Sequence, residues 1–332
     1  MDLKKLEYLL HVAEYGSFTK AAAVIGIAQP ALGRQVQKLE AECGVRLLYR
    51  HGRGVALTPE GETLLERVRP LVHQLQHAAL DLHEESAAAS GPITLGLTPT
   101  AGSLFGLALL KTLRLRFPKL RVNIVEAYSG YVHEWLTNGR VDLAILHDAR
   151  RSQHILVEPL GAARLSLVSP PGTKPLVQAP SAAVALKKLA GVPLVLPTRN
   201  HGLRRALDYA ASRAGVHLDV QYEIDTISLA LDVVRDGLAH TVLPYTAVEA
   251  LERRGELISR RLGAPEVEIR LMMGRAANRP PSRAIQFVEA EIRNQVKLAA
   301  KRFPLYLTVA AEEAPKPARA AKRPKAGQTF RA

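Results

Sequence analysis

The sequence predicts an α/β protein in three parts: an N-terminal winged helix-turn-helix, a coiled-coil linker helix and a C-terminal domain of two α/β lobes. Three observations support this prediction. Short helical stripes separated by glycines precede a basic hairpin, a leucine pattern typical of coiled coils follows, and strands then alternate with helices. The predicted boundaries are 1–58, 59–88 and 91–303, followed by a basic tail over 304–332.

The composition favours an anionic partner. The 332 residues carry a net charge of +14 with a pI near 10.0, which favours nucleic acid or an acidic membrane surface. No apolar run approaches the roughly 18 residues needed to span a bilayer, and the N-terminus lacks the features of a signal peptide. The single cysteine, Cys43, excludes an intrachain disulfide framework. These features predict a cytoplasmic protein without a membrane partner.

The first residues carry the pattern of a helix-turn-helix. A helical stripe of apolar residues runs over 3–15 and ends at Gly16. Ser17 is placed to N-cap a short alanine-rich helix, which Gly26 closes. A third helix opens at Gln29 with a proline at its favoured first position.

The third helix presents two different faces. Leu32, Val36 and Leu39 recur at helical spacing and are expected to face the core. The opposite face has the long hydrogen-bonding side chains that a recognition helix uses in the major groove, although a solvated helix shows a similar polar face. A glycine there costs about 1 kcal/mol relative to alanine, yet lets the backbone approach DNA closely. The candidate DNA-binding residues of this face are Gln29, Gly33, Arg34, Gln35 and Lys38.

A predicted hairpin favours the DNA-binding interpretation. Apolar pairs around residues 47–48 and 55–57 flank the segment RHGRG, which predicts a two-stranded wing with a basic, glycine-rich tip. Arg53 at this tip can enter the minor groove, while Arg50 suits a phosphate.

Residues 3–61 resemble the N-terminal domain of LysR-type transcriptional regulators. The resemblance rests on GSFTKAA, QPALGRQVQKLE, the LLYR cluster and GVALTPEG. Three positions depart from the family pattern: Ala28 stands where a capping Ser or Thr is usual, Gly33 where a Ser often contacts DNA, and Leu48 where Phe normally packs. The first two departures indicate an altered operator preference. The resemblance implies DNA contacts at Thr19, Gln29, Pro30, Arg34 and Arg53.

From Pro59 onward the sequence predicts a long helix that pairs with a second copy. Its apolar residues recur at alternating steps of four and three, so the narrow seam needs a partner helix and predicts a homodimer. The family resemblance adds that such dimers often form tetramers. His73, His77 and His83 are read as a solvated helix face, because no carboxylate or cysteine completes a metal site, and no cofactor is expected. The predicted seam residues are Leu64, Val68, Leu71, Leu75, Ala78 and Leu82.

The C-terminal region is predicted to form two βαβαβ units. The first contains PITLGL, a helix from about Ala101 to Phe117, LRVNIVEAY, SGYVHEWLTNG and RVDLAILHD. The second contains LSLVSP, GVPLVLP, a helix over 201–214, LDVQYEI, ISLALDVVRDG and HTVLP, after which the chain returns to the first unit. Lobe I is predicted at about 91–161 and 268–303, and lobe II at about 162–267. This is a periplasmic-binding-protein-like sensor domain, as the LysR resemblance also implies.

Polar residues mark the predicted cleft between these lobes. The segments LTPT and LPTRN each lie between a strand end and a helix N-terminus, one in each lobe. Helix N-termini offer free amides and a partial positive charge, so two facing ends favour an anionic effector, most simply a small carboxylate. Ordinary caps and turns are the alternative interpretation. The candidate effector-binding residues are Thr98, Pro99, Thr100, Ser129, His147, Thr198, Arg199, Asn200 and Thr226.

These observations predict a ligand-responsive transcription factor that binds double-stranded promoter DNA, with RNA polymerase as a further candidate partner. An enzyme is disfavoured because no G-x-S-x-G, H-E-x-x-H or P-loop motif occurs. A thiol-redox sensor within one chain is excluded because no second cysteine is present. An architectural or constitutive DNA-binding protein with a degenerate, ligand-free sensor domain stays open. The tail over 304–332 is predicted to be disordered, and either attracts DNA non-specifically or is a solvated tail with no role.

Overall fold

The computed structural model describes residues 2–51, 54–82, 90–149, 152–173, 183–277 and 281–310. The N-terminal unit has three helices and a β-hairpin, as predicted. The side chain of Ser17 accepts a hydrogen bond from the Lys20 amide, and Gly16 and Gly26 end their helices in the left-handed conformation. The elements are α1 (Leu3–Tyr15), α2 (Phe18–Ile25), α3 (Gln29–Cys43), β1 (Leu48–His51) and β2 (Gly54–Leu57).

One apolar core holds this unit together. Leu32, Val36 and Leu39 of α3 are fully buried against Leu9 and Val12 of α1, which confirms the predicted inner face of the third helix. The strands β1 and β2 pair antiparallel, so the wing is present. Its tip, Gly52 and Arg53, lies outside the described residues.

Helix α4 (Pro59–Leu82) runs for 24 residues without a break. Leu71 and Leu75 are more than half exposed, as an unpaired seam requires. The assignment of Val68 to that seam is wrong, because its side chain is buried in the core of the N-terminal unit together with Leu65. The side chains of Ala78, Leu82 and the three histidines at 73, 77 and 83 lie outside the described part of the chain.

Lobe I has a parallel sheet with helices on its faces. The helix predicted from about Ala101 begins at Pro99, because proline fits the first helical position directly after the strand. Its path includes a π-helical segment over Gly102–Gly106 before it becomes regular. The strands are β3 (Gly91–Leu97), β4 (Leu120–Glu126) and β5 (Leu143–His147), and the helices are α5 (Pro99–Ala101), α6 (Leu107–Arg116) and α7 (Ser129–Thr137).

Long antiparallel strands connect the two lobes. Strand β6 (Ile155–Ser169) pairs through its first half with β12 (Glu268–Ala276) and through its second half with strands of lobe II. The predicted boundary near residue 161 therefore falls within one continuous strand. Helix α11 (Arg283–Arg302) packs on lobe I after the chain has returned.

Lobe II repeats the parallel arrangement, with β8 (Pro193–Leu196) paired to β9 (Asp219–Glu223) and bridged to His240, which directly precedes β10 (Thr241–Pro244). The predicted helices over 201–214 and 227–237 are confirmed with slightly different ends. Its strands are β7 (Val184–Ala185), β8 (Pro193–Leu196), β9 (Asp219–Glu223), β10 (Thr241–Pro244) and β11 (Ile258–Gly263). Its helices are α8 (Gly202–Arg213), α9 (Ile227–Arg235) and α10 (Glu249–Arg253), with 3-10 turns at Leu186–Leu189 and Tyr245–Ala247.

The predicted start of a disordered tail at residue 304 is wrong. Strand β13 (Leu307–Val309) pairs antiparallel with β6, and the ring of Tyr306 stacks on Tyr245 at 4.1 Å. These contacts bury apolar surface, which gives the segment a reason to be ordered. Residues 311–332 lie outside the described residues. Of the helices that the structure describes, none is long and apolar enough to cross a membrane.

Candidate DNA-binding surface and effector pocket

The polar face of α3 forms the candidate DNA-binding surface. Arg34 and Lys38 are exposed on this face, while Gly33 and Gln35 are half-buried beside them. Thr19 at the start of α2 is also exposed. Gln29 and Pro30 are exposed in the first turn of α3, and Ala28 before them makes no side-chain cap, as the sequence predicts. The surface thus presents an uncapped helix N-terminus with an arginine one turn further on.

Gly33 is not required by the fold. A Cβ added there would find no heavy atom within 4 Å, and its backbone is not left-handed. A residue that costs helix stability without relieving crowding is best explained by what lies outside the protein.

Two contacts fix the wing relative to the helices of the N-terminal unit, one to α3 and one to α2. The carboxylate of Glu40 accepts hydrogen bonds from the amides of Leu47 (2.8 Å) and Leu48 (3.2 Å), so the end of α3 is bonded to the start of the hairpin. The guanidinium of Arg50 lies 4.8 Å from the ring centre of Phe18, a cation–π contact. The role of Glu40 was missed by the sequence reasoning, which took this residue only as the end of a family motif.

A buried space between the lobes, called the inner pocket from here on, brings together five of the nine predicted effector residues. It has a volume of about 40 Å³, and four helical segments begin at its wall. Among the described residues that line it there is no lysine or arginine. The lining residues are Thr98, Pro99, Thr100, Tyr128, Ser129, His147, Pro197, His201, Gly202, Leu203, Ile224, Ile227, Ala230, Thr241 and Leu243.

His147 is the centre of the polar part of the inner pocket. Its Nε2 lies 2.6 Å from Oγ1 of Thr100, and its backbone amide donates to Oγ of Ser129 at 3.0 Å. Burial lowers the pKa of His147 to about 4, so the imidazole is neutral at neutral pH. The hydroxyl of Thr98 is fully buried and has no hydrogen-bond partner among the described residues. An unpaired buried hydroxyl costs free energy unless a ligand or water satisfies it.

Lobe II contributes a second histidine that the sequence reasoning missed. His201 is buried at the N-terminus of α8, and its Nε2 lies 3.1 Å from the carboxylate of Asp225. Its ring meets Tyr128 of lobe I edge to face. Burial lowers the pKa of His201, and burial together with the nearby Asp225 raises the pKa of Tyr128 to about 12. The only available signal was the position of His201 as the first residue of a predicted helix.

Four predicted effector residues do not line the inner pocket. Thr198 turns toward Asp225, which accepts bonds from its amide at 2.8 Å and from its hydroxyl at 3.1 Å. Arg199 and Asn200 are exposed, and Thr226 is an exposed N-cap residue. These four residues therefore belong to caps and turns, which was the alternative interpretation of the sequence pattern.

The described residues contain no group of three or more His, Cys, Asp or Glu arranged to hold a metal ion.

A winged helix-turn-helix joined to a two-lobed domain with an interlobe pocket defines the class of DNA-binding regulators that respond to small molecules. The comparison with known families identifies the chain further. Residues 3–62 match the bacterial regulatory helix-turn-helix proteins of the lysR family, and residues 86–297 match the LysR substrate binding domain. The chain therefore belongs to the LysR family of DNA-binding transcriptional regulators.

Known proteins resemble this chain over most of its length. It is 30% identical over 290 residues to the nitrogen assimilation regulatory protein nac of Klebsiella aerogenes. The match covers 86% of this chain and 93% of that protein. It is 28% identical over 258 residues to the transcriptional dual regulator OxyR of Escherichia coli, covering 78% and 84%.

Solved structures share the fold. A full-length OxyR variant from Pseudomonas aeruginosa matches with a TM-score of 0.73 at 24% identity, covering 88% of this chain and 95% of that one. The LysR family regulator CbnR matches with a TM-score of 0.65 at 21% identity, covering 89% and 99%. At such identities these structures support the architecture and say nothing of this chain's ligand.

Proposed function

We propose that this regulator binds promoter DNA through α3 and the wing, and that a small anion in the inner pocket modulates this binding. The observation that carries the DNA-binding half is the exposed polar face of α3 with Arg34 at its centre. Arginine reads guanine by two parallel hydrogen bonds in the major groove. Arg50 on the wing suits a phosphate, which positions the helix without reading sequence.

The convergence of helix N-termini supports an anionic effector. Helical segments begin at Pro99 and Ser129 in lobe I and at Gly202 and Ile227 in lobe II, and all four residues line the inner pocket. The first turn of each helix has amides without intrahelical partners and a partial positive charge. Because no lysine or arginine lines the described wall, an anion would be held by amides and hydroxyls. A small carboxylate is the simplest such ligand.

The size and surroundings of the pocket restrict the ligand to a compact molecule. A volume of about 40 Å³ holds only a few water-sized groups. Leu203, Ile224 and Leu243 add an apolar side to the hydroxyl-bearing side formed by Thr98 and Thr100. The ligand is therefore expected to carry one polar head and a small apolar body.

Contacts to both lobes would let the ligand change DNA binding. An anion between Ser129 and Gly202 stabilises the arrangement of lobes that holds it, and so shifts the population of that arrangement. In a dimer paired through α4, the arrangement of lobes sets the spacing of the two recognition helices. In a tetramer built from two dimers, the arrangement of lobes would likewise set the spacing of the recognition helices.

A cysteine-based response is not proposed. Several relatives are named hydrogen peroxide-inducible genes activators. The single cysteine of this chain, Cys43, lies at the end of α3 and outside the effector domain. The inner pocket therefore has no thiol to oxidise.

The DNA-binding half is tested by footprinting on the DNA upstream of the protein's own gene, at fixed near-physiological salt with competitor DNA. Arg34→Ala is compared with wild type and with Arg114→Ala, which removes an exposed arginine from α6 in lobe I. Loss of the specific footprint for Arg34→Ala alone, with weak non-specific binding retained, supports the proposal. Equal binding by all three proteins would mean that bulk charge dominates.

The effector half is tested by thermal shift with pairs of isosteric ligands such as acetate and acetamide, or isobutyrate and isobutyramide, at constant ionic strength. A saturable rise in Tm with carboxylates that Thr100→Val weakens supports the proposal. No shift with any of these ligands favours the alternative of a constitutive DNA-binding protein. Equal shifts with the amides would show that the pocket reads shape and not charge.

A further inference from the structure

A larger space, called the outer cleft from here on, opens beside the inner pocket and has no role in the function proposed above. Its volume is about 1060 Å³. It is bounded by Ser129 and Gly130 at the start of α7, by the exposed face of α8, and by the segment 265–270, which includes the start of β12. Both lobes and the connection between them thus contribute to its walls.

A close contact separates the outer cleft from the inner pocket. A Cβ added to Gly202 would lie 3.0 Å from the carbonyl oxygen of His147 and 3.4 Å from its Cβ. The backbone of α8 therefore touches the end of β5 at this point, and the two residues line both spaces. A ligand of the outer cleft would lie against this contact and not within the inner pocket.

One face of α8 carries two arginines that have no acidic partner among the described residues. Arg205, Tyr209 and Arg213 are spaced four residues apart, so they form a row along the helix with about 12 Å between the two arginine Cα atoms. Arg205 donates to the carbonyl of Asn200 at 2.6 Å, and Arg213 lies 5.9 Å from the ring centre of Tyr209. Neither forms an ion pair with any described carboxylate, whereas Arg204 on the same helix pairs with an aspartate and a glutamate.

The acids of the outer cleft are largely neutralised. Asp148 pairs with Arg270 at 2.9 Å, and Glu266 pairs with Arg164 at 3.1 Å and also with Arg261. Glu268 is the remaining acid of the lining and is exposed at the start of β12. The unpaired charge along α8 is therefore positive.

We infer that the outer cleft is a second ligand site, for a planar molecule that carries an oxyanion. A guanidinium binds a phosphate or carboxylate through two parallel hydrogen bonds. Tyr209 is 66% exposed between the two arginines and offers a ring on which an aromatic body stacks. Because Ser129 and Arg205 belong to different lobes, such a ligand contacts both and favours the arrangement seen in this structure.

Calorimetric titration of the full-length protein tests this site, at constant ionic strength, with 4-nitrophenyl phosphate, 4-nitrobenzoate and the uncharged 4-nitrobenzamide. The variant Arg205→Gln/Arg213→Gln removes the cations, and Arg114→Gln is the matched control on an exposed face of lobe I. Thr100 lines the inner pocket and not the outer cleft, so Thr100→Val distinguishes the two spaces. Saturable binding of at least one oxyanion probe is expected, weakened about tenfold or more in the double variant and retained in both control variants. The preference between the phosphate and carboxylate probes identifies the oxyanion.

The inference would be overturned by no saturable binding of either oxyanion probe to wild type, by equal affinity in the double variant, or by equal binding of 4-nitrobenzamide. Loss of binding in Thr100→Val with retention in the double variant would also overturn it, because the probe would then occupy the inner pocket. Circular dichroism and Tm of each variant show whether it is folded. Should the double variant fail to fold, Tyr209→Ala replaces it, with the same weakening expected.

Discussion

Thr100 and His147 are joined by a 2.6 Å hydrogen bond between Oγ1 and Nε2. The bond connects the start of the first long helical segment of lobe I to the end of β5, and the amide of His147 is bonded in turn to Ser129. Three of the predicted effector residues are thereby fixed to one another before any ligand arrives. Preorganised polar groups of this kind reduce the entropy that binding would otherwise cost.

The buried state of His147 predicts a loss of stability in acid. Burial lowers the folded-state pKa of His147 to about 4, below its ordinary value of 6.5, so between these values the unfolded chain binds a proton that the folded chain does not. The contribution of His147 to the free energy of unfolding is therefore constant above about pH 6.5. It falls as the pH decreases toward 4, by at most about 3 kcal/mol. Burial lowers the pKa values of His201 and His240 as well, which adds to the effect in the same direction.

Tm measured from pH 4.5 to 7.5 checks this prediction. His147→Gln is expected to flatten the acid limb of the curve, while His217→Gln, at an exposed position, is expected to leave it unchanged. An equally steep limb in both variants would show that His147 does not cause the acid dependence.

Two glycines without neighbours predict opposite effects of the same substitution. A Cβ would meet open space at both Gly33 and Gly26, but Gly26 has a φ of +78° and Gly33 has helical backbone. Gly33→Ala should raise the free energy of unfolding by about 1 kcal/mol, and Gly26→Ala should lower it by about 1 kcal/mol. Urea denaturation measures both.

The two variants also separate stability from DNA recognition. If Gly33 is present so that α3 can approach DNA closely, Gly33→Ala binds promoter DNA more weakly although it is more stable. Unchanged or tighter promoter binding by this variant would remove the functional explanation for the glycine.

The local elements of the fold could be predicted because their signals lie within a few residues of one another. Ser17 caps the helix that directly follows it, and Gly16 ends the helix that precedes it. The strand that begins at Ile155 was predicted only from about residue 165, because its first half is held by pairing with β12, more than a hundred residues away.

Lining residues of the inner pocket could be predicted only where they stand next to strand ends or helix starts. Thr98, Ser129 and His147 stand at the ends of strands or starts of helices in one sheet, so topology alone brought them together. Thr198 stands in an equivalent place in lobe II, yet Asp225 takes both of its hydrogen-bonding groups. His201 was missed because the lining role of a residue depends on how the two lobes meet, which no local pattern records. The burial of Val68 was not predicted because it depends on how α4 packs against the N-terminal unit, which no local pattern records either.

Exposed leucines on α4 predict that self-association depends on this helix. Leu71 and Leu75 are 57% and 54% exposed, one helical turn apart. Leu71→Glu/Leu75→Glu is expected to shift the protein toward monomer in sedimentation velocity, because charges cannot be buried between paired helices without cost. Leu298→Glu on α11, at a site 50% exposed, is the matched control. Dimers that persist in the double variant would place the interface elsewhere.

The basic tail predicts the salt dependence of DNA binding. Residues 311–332 contain six Lys or Arg and two Glu, and they follow directly from β13, which is paired to β6. The slope of log K against log salt is negative, and each phosphate that a cation neutralises adds about 0.9 to its magnitude. A chain that ends at Ala310 should therefore bind non-specific DNA more weakly, with a smaller slope, and keep its specific footprint because α3 is intact.

Electrophoretic or anisotropy titrations at several salt concentrations measure the slope. A full-length chain with the six cations changed to Gln separates charge from length. Equal slopes for all three proteins would assign the tail no part in binding DNA.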